Sequence, residues 1–101
     1  MSKVIKKSQN KTASEKQEII IHELIEVFSG IGYSVRTEKG LFKGGFCLLK
    51  EQKLFLLNRN IEPSKKISFL ARNLALLGTE NIFVKPEIRD IIDKESPNTL
   101  I

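Results

Sequence analysis

Phe46-Cys47-Leu48-Leu49-Lys50-Glu51-Gln52-Lys53-Leu54-Phe55-Leu56-Leu57-Asn58 is the stretch on which the fold turns. Two apolar runs, Phe46–Lys50 and Lys53–Asn58, flank Glu51-Gln52, a connection of the length that joins antiparallel neighbours. The spacing predicts a hairpin. Both runs are apolar at successive positions: Phe46 and Leu48 point one way and Cys47 and Leu49 the other, and Leu54 and Leu56 oppose Phe55 and Leu57. A sheet apolar on both faces needs two covers. The flanking helices can supply one cover, and a short C-terminal segment or a second subunit must supply much of the other.

Upstream of the hairpin, Tyr33-Ser34-Val35-Arg36-Thr37 alternates and is rich in strand formers, so a first strand is expected there. Gly44-Gly45 leaves the connection between the two strands bulged, or lets another backbone come close. Earlier still, Ile20, Leu24, Val27, Phe28 and Ile31 recur at helical spacing, which predicts a helix over about 13–30, capped by Thr12 or Ser14. Ser29-Gly30-Ile31-Gly32 stops it, glycine tolerating the left-handed conformation of a C-terminal cap.

Downstream, Pro63 suits the first turn of a helix, and Ile67, Leu70, Ala71, Leu74 and Leu77 make its stripe before Gly78. A short strand, Ile82-Phe83-Val84, is expected next. Pro86 then opens a last helix through Ile88, Ile91 and Ile92. The fold class is α+β: an N-terminal helix, a three-stranded antiparallel sheet with a hairpin, a second helix, a short strand and a C-terminal helix. The expected division is a flexible basic tail over 1–12, one domain over 13–95 and a C-terminal tail over 96–101.

The chain has 101 residues, 41% hydrophobic and 29% charged, which is an ordinary balance for one folded domain. A domain of that length buries only roughly 60–68% of its unfolded surface, so one modest core is all it supports. No apolar run approaches the ~18 residues of a membrane span, and Met1–Lys7 lacks the apolar stretch of a secretion signal. A cytoplasmic protein with no membrane partner is the expectation. With Cys47 the only cysteine and His22 the only histidine, an internal disulfide is impossible and a structural zinc site of nitrogen and sulfur ligands cannot be assembled within one chain.

The net charge is +5. Residues 1–17 hold Lys3, Lys6, Lys7, Lys11 and Lys16 against Glu15 alone, a balance of +4, so the rest of the chain carries only +1. Such a segment is a solvated terminus, or else an anion contact through Lys3, Lys6, Lys7 and Lys11. No aromatic residue interleaves with these lysines, and Phe46 and Phe55 lack flanking arginines, so a base-stacking nucleic-acid surface is not indicated.

Candidate chemistry is sparse. A nucleophilic enzyme would use Cys47 or a serine with His22 as the base. Cys47 lies within an apolar strand, where a cysteine behaves as a small buried hydrophobe. His22 and Glu26, four apart on a helix, form a salt bridge as readily as a metal contact. Gly40-Leu41-Phe42-Lys43-Gly44-Gly45 is glycine-rich with a lysine, but it runs into a strand rather than a helix N-terminus, which phosphate cradling requires. Lys65, Lys66 and Arg72 form the solvated face of the second helix, with Arg72 and Asn73 as recognition residues if that face is open.

The order helix, strand, hairpin, helix, with Asn58 a few residues before the second helix and Ala71 and Leu74 on it, resembles the minimal zinc-peptidase module of the ImmA/IrrE type. That family carries a pattern like A-H-E-x-x-H on the second helix. Here its histidine, glutamate and second histidine positions hold Arg72, Asn73 and Leu76, so the resemblance implies a framework without ligands or general base. The Gly44-Gly45-Phe46-Cys47 hairpin and apolar final helix also look like those of small bacterial proteins, which imply no activity.

Together these expectations describe a non-catalytic interaction or structural module, without metal or cofactor, that forms a homodimer or binds another protein. Its expected contacts are Cys47, Leu49, Phe55, Leu57, Arg72 and Asn73. The alternative is a nucleic-acid accessory protein acting through its basic N-terminal tail.

Overall fold

The computed structural model describes residues 12–39 and 43–96. Helix α1, Ala13–Gly30, opens on Thr12. The Glu15 N–H donates to the Thr12 hydroxyl at 3.1 Å, and the Thr12 N–H donates to the Glu15 carboxylate at 3.0 Å. This reciprocal box satisfies two amides that the first turn would otherwise leave without partners. At the other end Gly32, at φ +90°, turns the chain. There the Gly32 and Tyr33 N–H groups donate to the Ser29 and Phe28 carbonyls at 3.0 and 2.9 Å, the pairing of a Schellman stop.

Strand β1, Ser34–Glu38, leaves that stop directly, and β2, Phe46–Leu49, and β3, Leu54–Asn58, form the expected hairpin. The hairpin turn closes with the Lys53 N–H donating to the Lys50 carbonyl at 3.2 Å. The strand order is β1-β3-β2, with β1 parallel and β2 antiparallel to β3. The sheet is therefore mixed, not antiparallel throughout. Residues 39–45 join β1 to β2, and seven residues reach up to about 23 Å, ample to cross the roughly 10 Å width of one intervening strand. The connection thus lets the most apolar strand, β3, take the centre and leaves the charged β1 at an edge.

Gly45 lies in this connection at φ +87°, and a Cβ there would meet the Phe69 ring at 3.0 Å and Ile61 at 3.4 Å. The glycine thus admits side chains from beyond the strand, not a neighbouring backbone. Residues 40–42 of the glycine-rich stretch lie outside the described residues.

Helix α2, Pro63–Leu77, starts on Pro63, and α3, Pro86–Lys94, starts on Pro86. Ile82-Phe83-Val84 is not a strand. It is an irregular link held in the helix layer: Ile82 packs against the core at one end, and at the other Val84 is buried in it and the Lys85 ammonium donates to Glu23 of α1 at 2.8 Å.

All three helices contribute to one core with the odd-numbered β3 residues. Leu24 and Phe28 of α1, Leu70 and Leu74 of α2, and Ile88 and Ile92 of α3 bury against Phe55 and Leu57. Aromatic rings tie the layers together. Phe28 stacks on Phe55 with centroids 4.9 Å apart, Phe55 on Phe46 at 5.6 Å, and Phe46 meets Phe69 of α2 at 5.0 Å. The C-terminal helix joins the other two on this same face. No helix among the described residues is long and apolar enough to cross a membrane.

Candidate interaction surface

Register decides which side chains share a face. Cys47 stands opposite Leu56 and Leu49 opposite Leu54, while Phe46 faces Leu57 and Leu48 faces Phe55. On the parallel side Arg36 pairs with Leu56 and Glu38 with Asn58. Because successive residues of a strand alternate sides, Val35, Phe46, Leu48, Phe55 and Leu57 look toward the helices. The opposite face carries Cys47, Leu49, Leu54 and Leu56, flanked by Ser34, Arg36, Glu38 and Asn58.

The four apolar residues of the opposite face are half-buried, and none is among the residues packed against the core. Arg36 and Glu38 pair at 3.0 Å along the rim of this face. It is an apolar strip about two strands wide with a polar border on the β1 side. Cys47 is a free thiol within the strip, half-buried and not in the core as its apolar surroundings suggested.

The expected contact residues divide. Cys47 and Leu49 lie on the open face. Phe55 and Leu57 are fully buried under the helices, so neither can meet a partner. They belong with Phe46 and Leu48, and the grouping with Cys47 and Leu49 placed residues of opposite faces together.

Arg72 and Asn73 are likewise parted by the helical turn of about 100° per residue. Arg72 is exposed and donates to Glu95 at 3.4 Å, the second carboxylate oxygen of which accepts from Ser68 at 3.3 Å. Asn73 is buried, its amide donating to the Phe69 carbonyl at 2.8 Å, which removes it from recognition. Leu76 is 63% exposed. Lys3, Lys6, Lys7 and Lys11 lie outside the described residues.

His22 and Glu26 form the expected pair, 3.5 Å apart on the exposed side of α1. Among the described residues no group of three or more His, Cys, Asp or Glu side chains is placed to hold a metal ion.

Two polar arrangements were not foreseen from the sequence. Arg89 of α3 reaches back to Thr79, donating to its hydroxyl at 2.6 Å and to its carbonyl at 3.2 Å. Thr79 is only 4% exposed, so the guanidinium satisfies a polar group that water barely reaches. Lys85 on Glu23 closes one side of a groove of about 210 Å³ between α1 and residues 82–88, with Phe83 at its rim, 84% exposed. The hydrogen bond and then the charge of Glu23 raise the Lys85 pKa above its ordinary 10.5. No local pattern announces such contacts, since each joins residues from different elements.

No protein-family model matches the chain, and neither the curated proteins nor the solved structures contain a significant match.

Proposed function

We propose that this chain is a non-catalytic protein-interaction module that associates with itself through its sheet, whose outer side none of the described helices covers. The observation that supports this is the one-sided helix layer: α1, α2 and α3 share one core, and Cys47, Leu49, Leu54 and Leu56 form an apolar strip outside it. Burying such a strip yields about 25 cal/mol per Å² of apolar surface removed from water, the usual driving term for association. A reducing, cytoplasmic setting belongs to the proposal, because a lone thiol on a contact surface is kept free only where disulfides do not persist.

Sedimentation equilibrium over a wide concentration range tests it. The expected result is a monomer–dimer equilibrium that Cys47→Glu, at the centre of the strip, abolishes, with the far-ultraviolet circular dichroism of the variant unchanged. A wild-type chain that stays monomeric to millimolar concentration would end the self-association proposal.

The concentration of +4 of the +5 net charge in residues 1–17 favours a second reading, in which Lys3, Lys6, Lys7 and Lys11 supply electrostatic affinity for nucleic acid. Binding of that kind falls steeply as salt rises and goes when residues 1–11 are removed. A filter-binding salt titration on both chains decides it, and equal binding by the two would eliminate this reading.

A further inference from the structure

The hydrogen bonds at the two ends of β1 settle which way every strand of the sheet directs its backbone. The Ser34 N–H donates to the Lys53 carbonyl at 3.0 Å, and the Arg59 N–H donates to the Glu38 carbonyl at 2.8 Å. With Ser34 opposite Leu54 and Glu38 opposite Asn58, these are the first and last rungs of one parallel series. In that series Phe55 and Leu57 send both backbone groups to β1, while at its ends Lys53 sends only its carbonyl and Arg59 its N–H. Leu54 and Leu56 therefore send theirs to β2, where Leu49 and Cys47 stand opposite. It follows that Phe46 and Leu48 direct their N–H and C=O groups away from β3, toward the outer edge of the sheet.

The two edges differ in how they treat newcomers. β1 carries Arg36 and Glu38, the kind of charge that discourages edge pairing, whereas β2 is Phe46-Cys47-Leu48-Leu49, with neither charge nor proline. Among the described residues nothing pairs with its outer side. We propose, resting on the self-association reading, that β2 pairs antiparallel with β2 of a second copy about a twofold axis beside Cys47, giving one six-stranded sheet.

The second copy is the occupant because the edge is complementary to itself. Only one antiparallel register of β2 on β2 joins both outward residues to strand partners: Phe46 opposite Leu48 of the second copy and Leu48 opposite its Phe46, with four N–H···O=C bonds. Shifting by two in either direction pairs one of them with its own counterpart and sends the other to Gly44 or Lys50, beyond the strand. In the favoured register the two Cys47 residues form the central pair without mutual hydrogen bonds, with Cα atoms about 4.5 Å apart and side chains close. The axis also brings the two apolar strips side by side, and it sets Phe46 of each copy beside Leu48 of the other on the helix side.

That register is read directly by the thiols. In the full-length dimer, mild oxidation with diamide should join Cys47 to Cys47, the two thiols giving up two protons and two electrons to the oxidant, since about 4.5 Å lies within the Cα range of a disulfide. A chain whose only thiol is moved by Cys47→Ser and Leu49→Cys should crosslink about tenfold more slowly, since its thiols lie far from the axis. Amide exchange gives an independent readout: the Phe46 and Leu48 amides should gain protection as concentration rises, while those of Cys47 and Leu49 stay protected throughout. Cys47→Lys, which opposes two like charges on the axis, should return the chain to monomer with its fold intact.

A dimer in which Phe46 and Leu48 exchange freely and Cys47 does not crosslink overturns edge pairing and leaves self-association standing. Edge protection gained only on adding a different protein overturns the second copy as occupant. A monomer at every concentration overturns both proposals.

Discussion

Phe55 and Leu56 are neighbours on the central strand, yet they live in different solvents. Phe55 is fully buried, stacked between Phe28 and Phe46. Leu56 looks the other way, between Arg36 and Cys47 in the register, outside the core. Among the described residues three helices stabilise one face of the sheet and none the other, so the same strand supports a fold on one side and presents an apolar surface on the other. Apolar patterning alone says that both sides avoid water. The placement of helices says which side is already satisfied within the chain.

The sharpest way to break this contrast is a pair of truncations measured by urea denaturation at a concentration where the chain is monomeric. Phe55→Ala should cost about 3–5 kcal/mol, the loss of a buried aromatic together with the cavity it leaves. Leu56→Ala should cost distinctly less, about 1 kcal/mol, because its side chain is only half-buried and lies outside the core. Equal costs would mean that the second face is covered within one chain, and the self-association proposal would lose its basis.

The next largest effect concerns how α3 is held on the helix side. Arg89→Ala leaves the buried Thr79 hydroxyl without its donor, which should cost about 1–3 kcal/mol. Thr79→Val added to Arg89→Ala should recover part of that loss, because an apolar group needs no donor. If Arg89→Ala changes stability by no more than an ordinary surface substitution, then apolar packing by Ile88 and Ile92 alone fixes α3 to the helix face.

Much of this architecture was legible because its signals are local. Thr12, Gly32, Pro63, Gly78 and Pro86 each act within a few residues, and both ends of α1 and α2 and the start of α3 follow from them. The partner of β1 was not legible, since nothing in Ser34–Glu38 states whether the chain will turn back beside it or cross to the far edge. Ile82-Phe83-Val84 has strand-forming side chains, but strand formation depends on a free edge within reach, and Val84 and Lys85 are committed to the helices.

The candidate surface was half legible for a related reason. Alternation shows that each strand has two apolar faces, but matching faces between strands needs the register. In this hairpin the numbers of opposed residues sum to 103, as with 47 and 56, so odd positions of one strand share a face with even positions of the other. Cys47 and Leu49 therefore go with Leu54 and Leu56. The same geometry on α2 turns Asn73 inward while Arg72 stays outside.

The smallest expected effect lies where the helix side meets water, at Lys85 on Glu23. The pair joins the link before α3 to α1 at 2.8 Å, and Lys85 is more than half exposed, so solvent screens it. Glu23 raises the Lys85 pKa above 10.5, first through the hydrogen bond and then through its charge. The folded state therefore holds this proton more tightly than the unfolded one. The stabilisation is complete below the unfolded pKa, near 10.5, and is lost as pH rises through the higher folded value. The informative quantity is the stability difference between wild type and Glu23→Gln. That difference should be small and constant from neutrality to about pH 10 and should shrink at more alkaline pH. A difference that persists once Lys85 is neutral would show that Glu23 acts on α1 alone, and that packing rather than this ion pair holds α3 on the covered side of the sheet.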